Sequence, residues 1–147
     1  MQPNCGLETR CCQPFERADD KSRGVLQTVR TLELSNGSLL LMGGYDGSYK
    51  NDVWVSHDGG VSWSLRLSSA GWSGREYFSL LMLSSGSLLV MGGFDGGNKN
   101  DVWRSLDSGS SWSELTSSAS WSARYGHSAL ELSNGSLLLM GGNDGSY

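Results

Sequence analysis

The chain has 147 residues, a formal net charge of -4 and a sequence pI near 5.0, and it contains no stripe of basic residues. This balance argues against nucleic acid as a partner, because binding to phosphates requires a concentrated basic surface. Strictly apolar runs such as 39–42 are only four residues long, whereas a membrane-spanning helix needs roughly 20. A membrane span is therefore not expected.

Residues 1–24 differ in composition from the remainder and are predicted to be a disordered, non-repeat leader. They hold both prolines and all three cysteines, Cys5, Cys11 and Cys12. The cysteine spacing lacks the paired Cys-x2-Cys and His pattern of zinc sites, so no metal is expected. No apolar stretch of the roughly 7 to 15 residues typical of a secretory signal follows the N-terminus. The sequence therefore does not indicate in which cellular compartment the protein is found.

Residues 25–147 repeat with a period of 49. The block Met-Gly-Gly-aromatic-Asp-Gly at 42–47 returns at 91–96, and again at 140–145 with Asn143 in the aromatic slot. Aligning 36–75 with 85–124 gives 26 identical positions out of 40. A fixed period of this size indicates one supersecondary unit copied along the chain, which buries its apolar face against its neighbours. The repeats are placed at about 25–73, 74–122 and 123–147, the last incomplete.

Short apolar runs bounded by Gly, Ser, Asn and Asp predict strands and almost no helix. Four strands are predicted in the first copy, at 28–34 (a), 38–43 (b), 51–56 (c) and 61–65 (d), and again 49 residues later. The third copy has only a, near 125–132, and b, near 136–141. Tyr147 aligns with Tyr49 just before strand c. The expectation is therefore about two and a half four-stranded units of a longer, truncated structure.

Two signatures in these repeats resemble known propeller motifs. Paired glycines close each strand b, Arg75 and Arg124 open strand a, and tryptophans 54, 63, 103 and 112 lie in strands c and d. This pattern is similar to the kelch-repeat family, and the resemblance implies an all-β, kelch-type β-propeller. Between c and d, Ser-x-Asp-x-Gly-x-Ser-Trp at 56–63 and 105–112 looks like the Asp-box of sialidase-type propellers.

Most signature residues are interpreted as structural. Glycine pairs permit backbone conformations and close strand approach that a Cβ forbids, and a carboxylate in a tight turn accepts local N–H bonds. The tryptophans are expected to pack between blades. Asn36-Gly37-Ser38 matches a glycosylation acceptor, but Asn-Gly between apolar strands favours a hairpin turn. The structural-turn residues are Asp58, Asp107, Gly43, Gly44, Gly92 and Gly93.

Antiparallel strands place the b–c and d–a loops at one end of the fold, and aromatic and arginine residues concentrate there. The candidate ligand-binding residues are Arg75, Arg124, Trp72, Trp121, Tyr45 and Phe94. A guanidinium binds carboxylates through two parallel hydrogen bonds, so a partner with an acidic group is expected. The alternative is that each arginine pairs with a neighbouring Asp or a loop carbonyl within the fold.

No Cys or Ser has a convincing His partner, and His57 and His127 are the only histidines. The metal-ligand set of kelch-type copper oxidases and the arginine cluster of sialidases are both incomplete. We therefore expect a chain without catalytic residues or cofactor. The first functional hypothesis is a protein-interaction scaffold that binds through the b–c and d–a loops. The alternative is an extracellular carbohydrate-recognition propeller or an accessory domain of a carbohydrate-active enzyme.

Overall fold

A computed structural model of the chain describes residues 28–146. Within that range every regular element is a β-strand, so the predicted all-β class is confirmed. The leader predicted at 1–24, with its three cysteines, lies outside the described residues. No helix in 28–146 is long and apolar enough to cross a membrane.

Ten strands form three antiparallel sheets that follow the 49-residue repeat. The first sheet has the order β1 (Arg30–Glu33), β2 (Leu39–Tyr45), β3 (Tyr49–Ser56) and β4 (Ser64–Leu67). The second has β5 (Ser79–Met82), β6 (Leu88–Phe94), β7 (Asn98–Ser105) and β8 (Ser113–Thr116). The third pairs β9 (Ser128–Glu131) with β10 (Leu137–Met140). Within each sheet, every strand pairs with the next in sequence, as short turns between antiparallel strands allow.

Each predicted strand overlaps a strand of the structure, but several begin or end at different residues. Strand b extends to Tyr45 and strand c begins at Tyr49, because these two residues still pair across the hairpin. Strand d, predicted at 61–65, is found at Ser64–Leu67. The preceding residues belong to the turn between β3 and β4, where Val61 is 87% exposed.

The apolar core lies between the first and second sheets. Leu40, Met42 and Val53 of the first sheet are fully buried, as are Leu88 and Val90 of the second. Alternate residues on each strand contribute to it, as expected for strands whose side chains point to opposite faces. Burying an aliphatic side chain of this size contributes roughly 1.5 to 3 kcal/mol. The repeats are therefore held together by the faces that they present to each other.

The glycine pairs lie at the contacts between neighbouring sheets. Gly43 has φ +61°, and a Cβ there would lie 2.7 Å from the Phe78 ring of the next sheet. Gly44 donates its N–H to the carbonyl of Arg75 at 2.8 Å. A side chain at Gly43 would push the sheets apart, and φ is also unfavourable for other residues. The glycines thus set the distance between sheets.

The same contact recurs one repeat later. A Cβ on Gly92 would lie 2.8 Å from the His127 ring, and Gly93 donates to the carbonyl of Arg124 at 2.9 Å. The first strands of the three sheets also lie side by side, β1 against β5 and β5 against β9. The sheets are therefore related by a regular step, with their first strands along one common edge.

Candidate functional site

Trp72 and Arg75, two of the residues expected at the binding surface, are buried within the fold. Each side chain is only 1% exposed. The Trp72 ring packs 5.8 Å from the Phe78 ring and 6.1 Å from the Trp112 ring, in the core between the first two sheets. The Arg75 guanidinium lies 6.0 Å from the Trp72 ring centroid. Both residues are consequently part of the packing.

Arg75 forms a buried ion pair with Asp101. Its two terminal nitrogens donate to the two carboxylate oxygens at 2.6 and 2.7 Å, and one also donates to the carbonyl of Gly92 at 2.9 Å. Burial raises the pKa of Asp101, but the hydrogen bonds and charge of Arg75 outweigh it, and the indole N–H of Trp103 adds to them. The net pKa is lowered. Arg75 therefore pairs with an Asp within the fold, which was the alternative to ligand binding considered from the sequence.

Arg124 repeats the same local contacts with a more open guanidinium. It donates to the carbonyl of Ser122 at 3.1 Å and to the carbonyl of Gly141 at 2.7 Å, and Asp144 lies 3.7 Å away. The Trp121 ring packs 5.8 Å from the His127 ring. Although Arg124 is partly exposed, most of its donors are used within the fold.

Tyr45 and Phe94 belong to a continuous row of rings at the b–c and d–a end. Tyr45 closes β2 and Tyr49 opens β3, and because they pair across the hairpin their rings lie 4.9 Å apart. From Tyr49 the row passes to Phe94 at 6.1 Å, to Tyr125 at 5.6 Å and to Tyr77 at 5.7 Å. We call Tyr45, Tyr49, Phe94, Tyr125 and Tyr77 the aromatic row. All five are half-buried.

Backbone pairing fixes the row across the three repeats. Phe94 ends β6 and exchanges two backbone hydrogen bonds of 2.9 Å with Glu76. Tyr125 is held by a bridge to Asn143 in the same manner. Such edge-to-face and tilted ring pairs contribute roughly 0.5 to 1.5 kcal/mol each beyond the area that they bury. Backbone pairing and ring contacts therefore hold the row in place across the three repeats.

Tyr77 adopts a backbone conformation that disfavours its own side chain. Its φ is +54°, and the equivalent residue of the third repeat is Gly126, at φ +69°. A left-handed conformation costs a residue with a Cβ roughly 1 to 2 kcal/mol. The strain places the Tyr77 ring beside Tyr125 at the end of the row. Unfavourable backbone geometry of this kind is concentrated at functional sites.

The row carries hydroxyls, and it is flanked by two paired lysines and by Glu76, whose carboxylate accepts from the Thr28 hydroxyl at 2.8 Å. No tyrosine hydroxyl of the row has a side-chain or backbone partner among the described residues. Partial burial, followed by the charge of Glu76, raises the pKa of Tyr49, so its hydroxyl stays protonated. Lys50 pairs with Asp46 at 3.1 Å and Lys99 with Asp95 at 2.9 Å. The surface is thus aromatic and amphipathic, with little uncompensated charge.

The carboxylates of Asp58 and Asp107, in the turns that resemble Asp-boxes, are hydrogen-bonded within their own turns. Asp58 accepts from the N–H of Ser62 at 2.9 Å and from the hydroxyls of Ser62 and Ser56 at 2.5 and 2.8 Å. These bonds lower the pKa of Asp58 to about 2. Asp107 makes the same contacts with Ser111 and Ser105. Both turns lie at the end of the sheets opposite the aromatic row.

His127 occupies the same slot between sheets as Phe78. It is 3% exposed, and across the described part of the chain neither ring nitrogen has a partner in good hydrogen-bond geometry, although the Met91 backbone lies close enough to act weakly on the ring. Burial and the charges of Arg124 and Arg30 lower the pKa of His127 to about 4. The neutral ring therefore acts as a packing group. Within residues 28–146 no group of His, Cys, Asp or Glu is arranged to hold a metal ion.

Comparison of the chain with protein-family models and with curated protein sequences finds no match. Function must therefore be inferred from the contacts themselves. The binding residues predicted from the sequence did not include Tyr49, Tyr77 and Tyr125 of the aromatic row. One signal was present, since Tyr77 stands where the aligned third repeat has glycine, although its φ could not be read from the residue types.

Proposed function

We propose that the 49-residue units are blades of a kelch-type β-propeller, and that the chain is a non-catalytic scaffold that binds a protein partner. The three sheets repeat one strand order, with their first strands together and a glycine pair at each contact between sheets. These features support the propeller, because its blades contact each other through the same faces around a common axis. The Asp-boxes then serve as turns on the opposite side.

The aromatic row is the observation that carries the binding proposal. Its five rings span all three repeats without a break, and within residues 28–146 no hydrogen-bond partner occupies its tyrosine hydroxyls. Large rings with polar tips are enriched among the residues that contribute most to protein interfaces. A pre-ordered row also loses little conformational entropy when a partner binds. The strained backbone of Tyr77 is consistent with a ring that is retained for binding.

The partner should offer apolar side chains and backbone hydrogen-bonding groups. An acidic group on the partner is no longer favoured, because Arg75 is buried against Asp101 and the two lysines beside the row, Lys50 and Lys99, are already paired. An extended peptide segment fits a row of rings better than a single carboxylate does. Its apolar side chains would lie between rings, and its amides would meet the tyrosine hydroxyls.

Carbohydrate recognition is the second candidate, because exposed tyrosine rings also stack against the apolar faces of sugars. The same row would form that site, with hydroxyls bonding to the ligand. The resemblance of the turns to Asp-boxes favours this candidate, since such turns recur in carbohydrate-active propellers. The two functions differ in ligand class and share a surface.

One experiment tests peptide binding and carbohydrate binding together. The chain is screened against a random peptide library and a glycan array, and the binders are measured with Tyr49→Ala, Phe94→Ala and a control. Val61→Ser is the matched control, because Val61 is 87% exposed on the turn side. Truncating a ring that dominates an interface costs 2 kcal/mol or more, roughly a thirtyfold loss. Peptide binding that depends on the rings supports the scaffold. Ligands that tolerate both ring variants would refute the proposed surface.

A further inference from the structure

The backbone at the centre of the aromatic row is already paired within the fold. The N–H and carbonyl of Phe94 exchange hydrogen bonds with Glu76 at 2.9 Å. Those of Tyr125 exchange with Asn143 at 3.1 and 2.9 Å, and the carbonyl of Tyr77 accepts from the next repeat at 2.8 Å. A peptide that binds by adding a strand requires unpaired backbone groups on the protein. A partner is therefore contacted through the side chains at these positions.

The side chains of the row supply hydrogen-bond donors. Four of the five rings are tyrosines, whose hydroxyls have no partner among the residues that the structure describes. A protonated phenol donates one hydrogen bond. Partial burial, followed by the charge of Glu76, raises the pKa of Tyr49, so this hydroxyl keeps its proton. A ligand with open carbonyl groups is complementary to such a surface.

Neighbouring rings of the row are inclined to one another rather than stacked. Their planes differ by 48° to 70°, and their centroids lie 4.9 to 6.1 Å apart. Wedge-shaped gaps therefore separate the rings. A polyproline II segment rises about 3.1 Å per residue, so about two of its residues advance by one ring of the row. Its compact pyrrolidine rings match gaps with this spacing.

The polyproline II conformation also meets the hydrogen-bonding requirement. It has no internal hydrogen bonds, so its carbonyls are open to donors. Proline has no backbone N–H, and a proline-rich segment therefore requires few acceptors from the protein. The segment is also ordered before it binds, so it loses little conformational entropy. A helical peptide differs, because its carbonyls are occupied by its own N–H groups.

One carboxylate beside the row favours a basic ligand over an acidic one. Both lysines that flank the row are paired with aspartates. Glu76 accepts from the Thr28 hydroxyl at 2.8 Å, but it takes part in none of the ion pairs formed within the described range. Its charge acts on the row, since it contributes, after burial, to the raised pKa of Tyr49. A cation on the ligand would compensate this charge, whereas an anion would be repelled.

We infer that the aromatic row binds a proline-rich segment in the polyproline II conformation, with a lysine or arginine beside Glu76. The pyrrolidine rings of the segment lie in the gaps between the aromatic rings, and its carbonyls accept from the tyrosine hydroxyls. This class of partner rests on the proposed function, because it occupies the same surface and narrows the kind of peptide that the scaffold takes.

Peptide titration of the full 147-residue chain tests this partner class. Three fluorescent peptides with amidated C-termini are compared by anisotropy: ten prolines followed by arginine, ten prolines followed by glutamate, and five Leu-Ser pairs followed by arginine. The Leu-Ser peptide supplies apolar side chains and N–H groups without the polyproline conformation. The variants are Tyr49→Phe, Phe94→Ala and Glu76→Gln, with Val61→Ser as the matched control on the turn side. Circular dichroism confirms that each variant is folded.

The proline–arginine peptide should bind the unaltered chain and Val61→Ser equally, and more tightly than the other two peptides bind. Tyr49→Phe keeps the ring and removes the hydroxyl, so it should lose about two- to tenfold in affinity. Phe94→Ala should lose roughly thirtyfold or more. Glu76→Gln should lose about two- to fivefold for the proline–arginine peptide, and should not lose affinity for the proline–glutamate peptide.

The outcomes that overturn this inference differ from those that overturn the proposed function. Absence of binding by the proline–arginine peptide would overturn it, as would tighter binding of the glutamate peptide or equal binding by Tyr49→Phe and the unaltered chain. If the Leu-Ser peptide or a library peptide still bound in a ring-dependent manner, the proposed peptide-binding surface would remain. If no ligand of any class depended on the rings, the inference and the proposed function would both fail.

Discussion

Replacing His127 by phenylalanine should make the fold both more stable and less sensitive to acid. The imidazole fills a slot that Phe78 fills one repeat earlier, with the same close contact to a glycine. Among the residues that the structure describes, its two buried nitrogens have no partner in good hydrogen-bond geometry. Phenylalanine matches the shape and removes both unsatisfied atoms. Since an unpaired buried polar group costs about 1 to 3 kcal/mol, the variant should gain stability of that order at neutral pH.

The pH dependence has a defined direction and window. The pKa of His127 falls from 6.5 to about 4 on folding, through burial and the charges of Arg124 and Arg30. The unfolded chain therefore binds a proton that the folded chain resists. Stability contributed by the neutral ring is complete above pH 6.5 and declines as the pH falls towards 4. The slope is at most about 1.4 kcal/mol per pH unit, and the total is at most about 3 kcal/mol.

Urea unfolding followed by circular dichroism, at fixed protein concentration, measures this directly between pH 7.5 and 4.5. His127→Phe should flatten the decline between pH 6.5 and 4, whereas the loss from the Asp carboxylates at lower pH should remain. The matched control is Phe78→His, which should introduce the same decline at the other sheet contact. Identical pH profiles for the unaltered chain and His127→Phe would refute the buried, neutral ring.

Three further outcomes follow from the contacts. Tyr77→Gly and Tyr77→Ala both remove a ring of the row and should weaken ring-dependent ligands equally, but the glycine variant should be more stable by about 1 to 2 kcal/mol, as measured by urea unfolding. Ser105→Ala removes the acceptor of the Gly109 N–H at 2.8 Å and should cost about 1 to 3 kcal/mol, with unchanged ligand affinity on titration calorimetry. Arg75→Ala leaves Asp101 buried and unpaired, so it should cost on the order of 3 to 5 kcal/mol; a melting temperature equal to that of the unaltered chain would contradict the buried pair.

The local structure could be read from the residue types. Apolar runs gave the strands, and the glycine pairs marked the places where two backbones approach. These signals work because they depend on neighbours within a few residues. Strand d was placed too early for a related reason: Val61 and Trp63 look like strand residues, but the hydrogen bonds of Asp58 hold this segment in the turn.

The binding surface could be read only in part, because it depends on contacts between repeats. Arg75 looked available since its partner, Asp101, lies 26 residues further on in another strand. Tyr77 and Tyr125 meet although they are 48 positions apart in the sequence. Period and residue type place such residues near one end of the sheets, but they do not tell which side chains are covered by the next repeat.

Some equivalent positions carry the same residue in all three repeats because the fold requires it, whereas others differ between repeats. The glycine pair is unchanged in all three repeats, because each copy provides the same socket for the next sheet. The position of Tyr77 is occupied by glycine in the third repeat, where the left-handed backbone carries no Cβ strain. A tyrosine there contributes strain to its own repeat and a fifth ring to the row. Because the third repeat has glycine at this position, we propose that binding is the physical reason for the tyrosine.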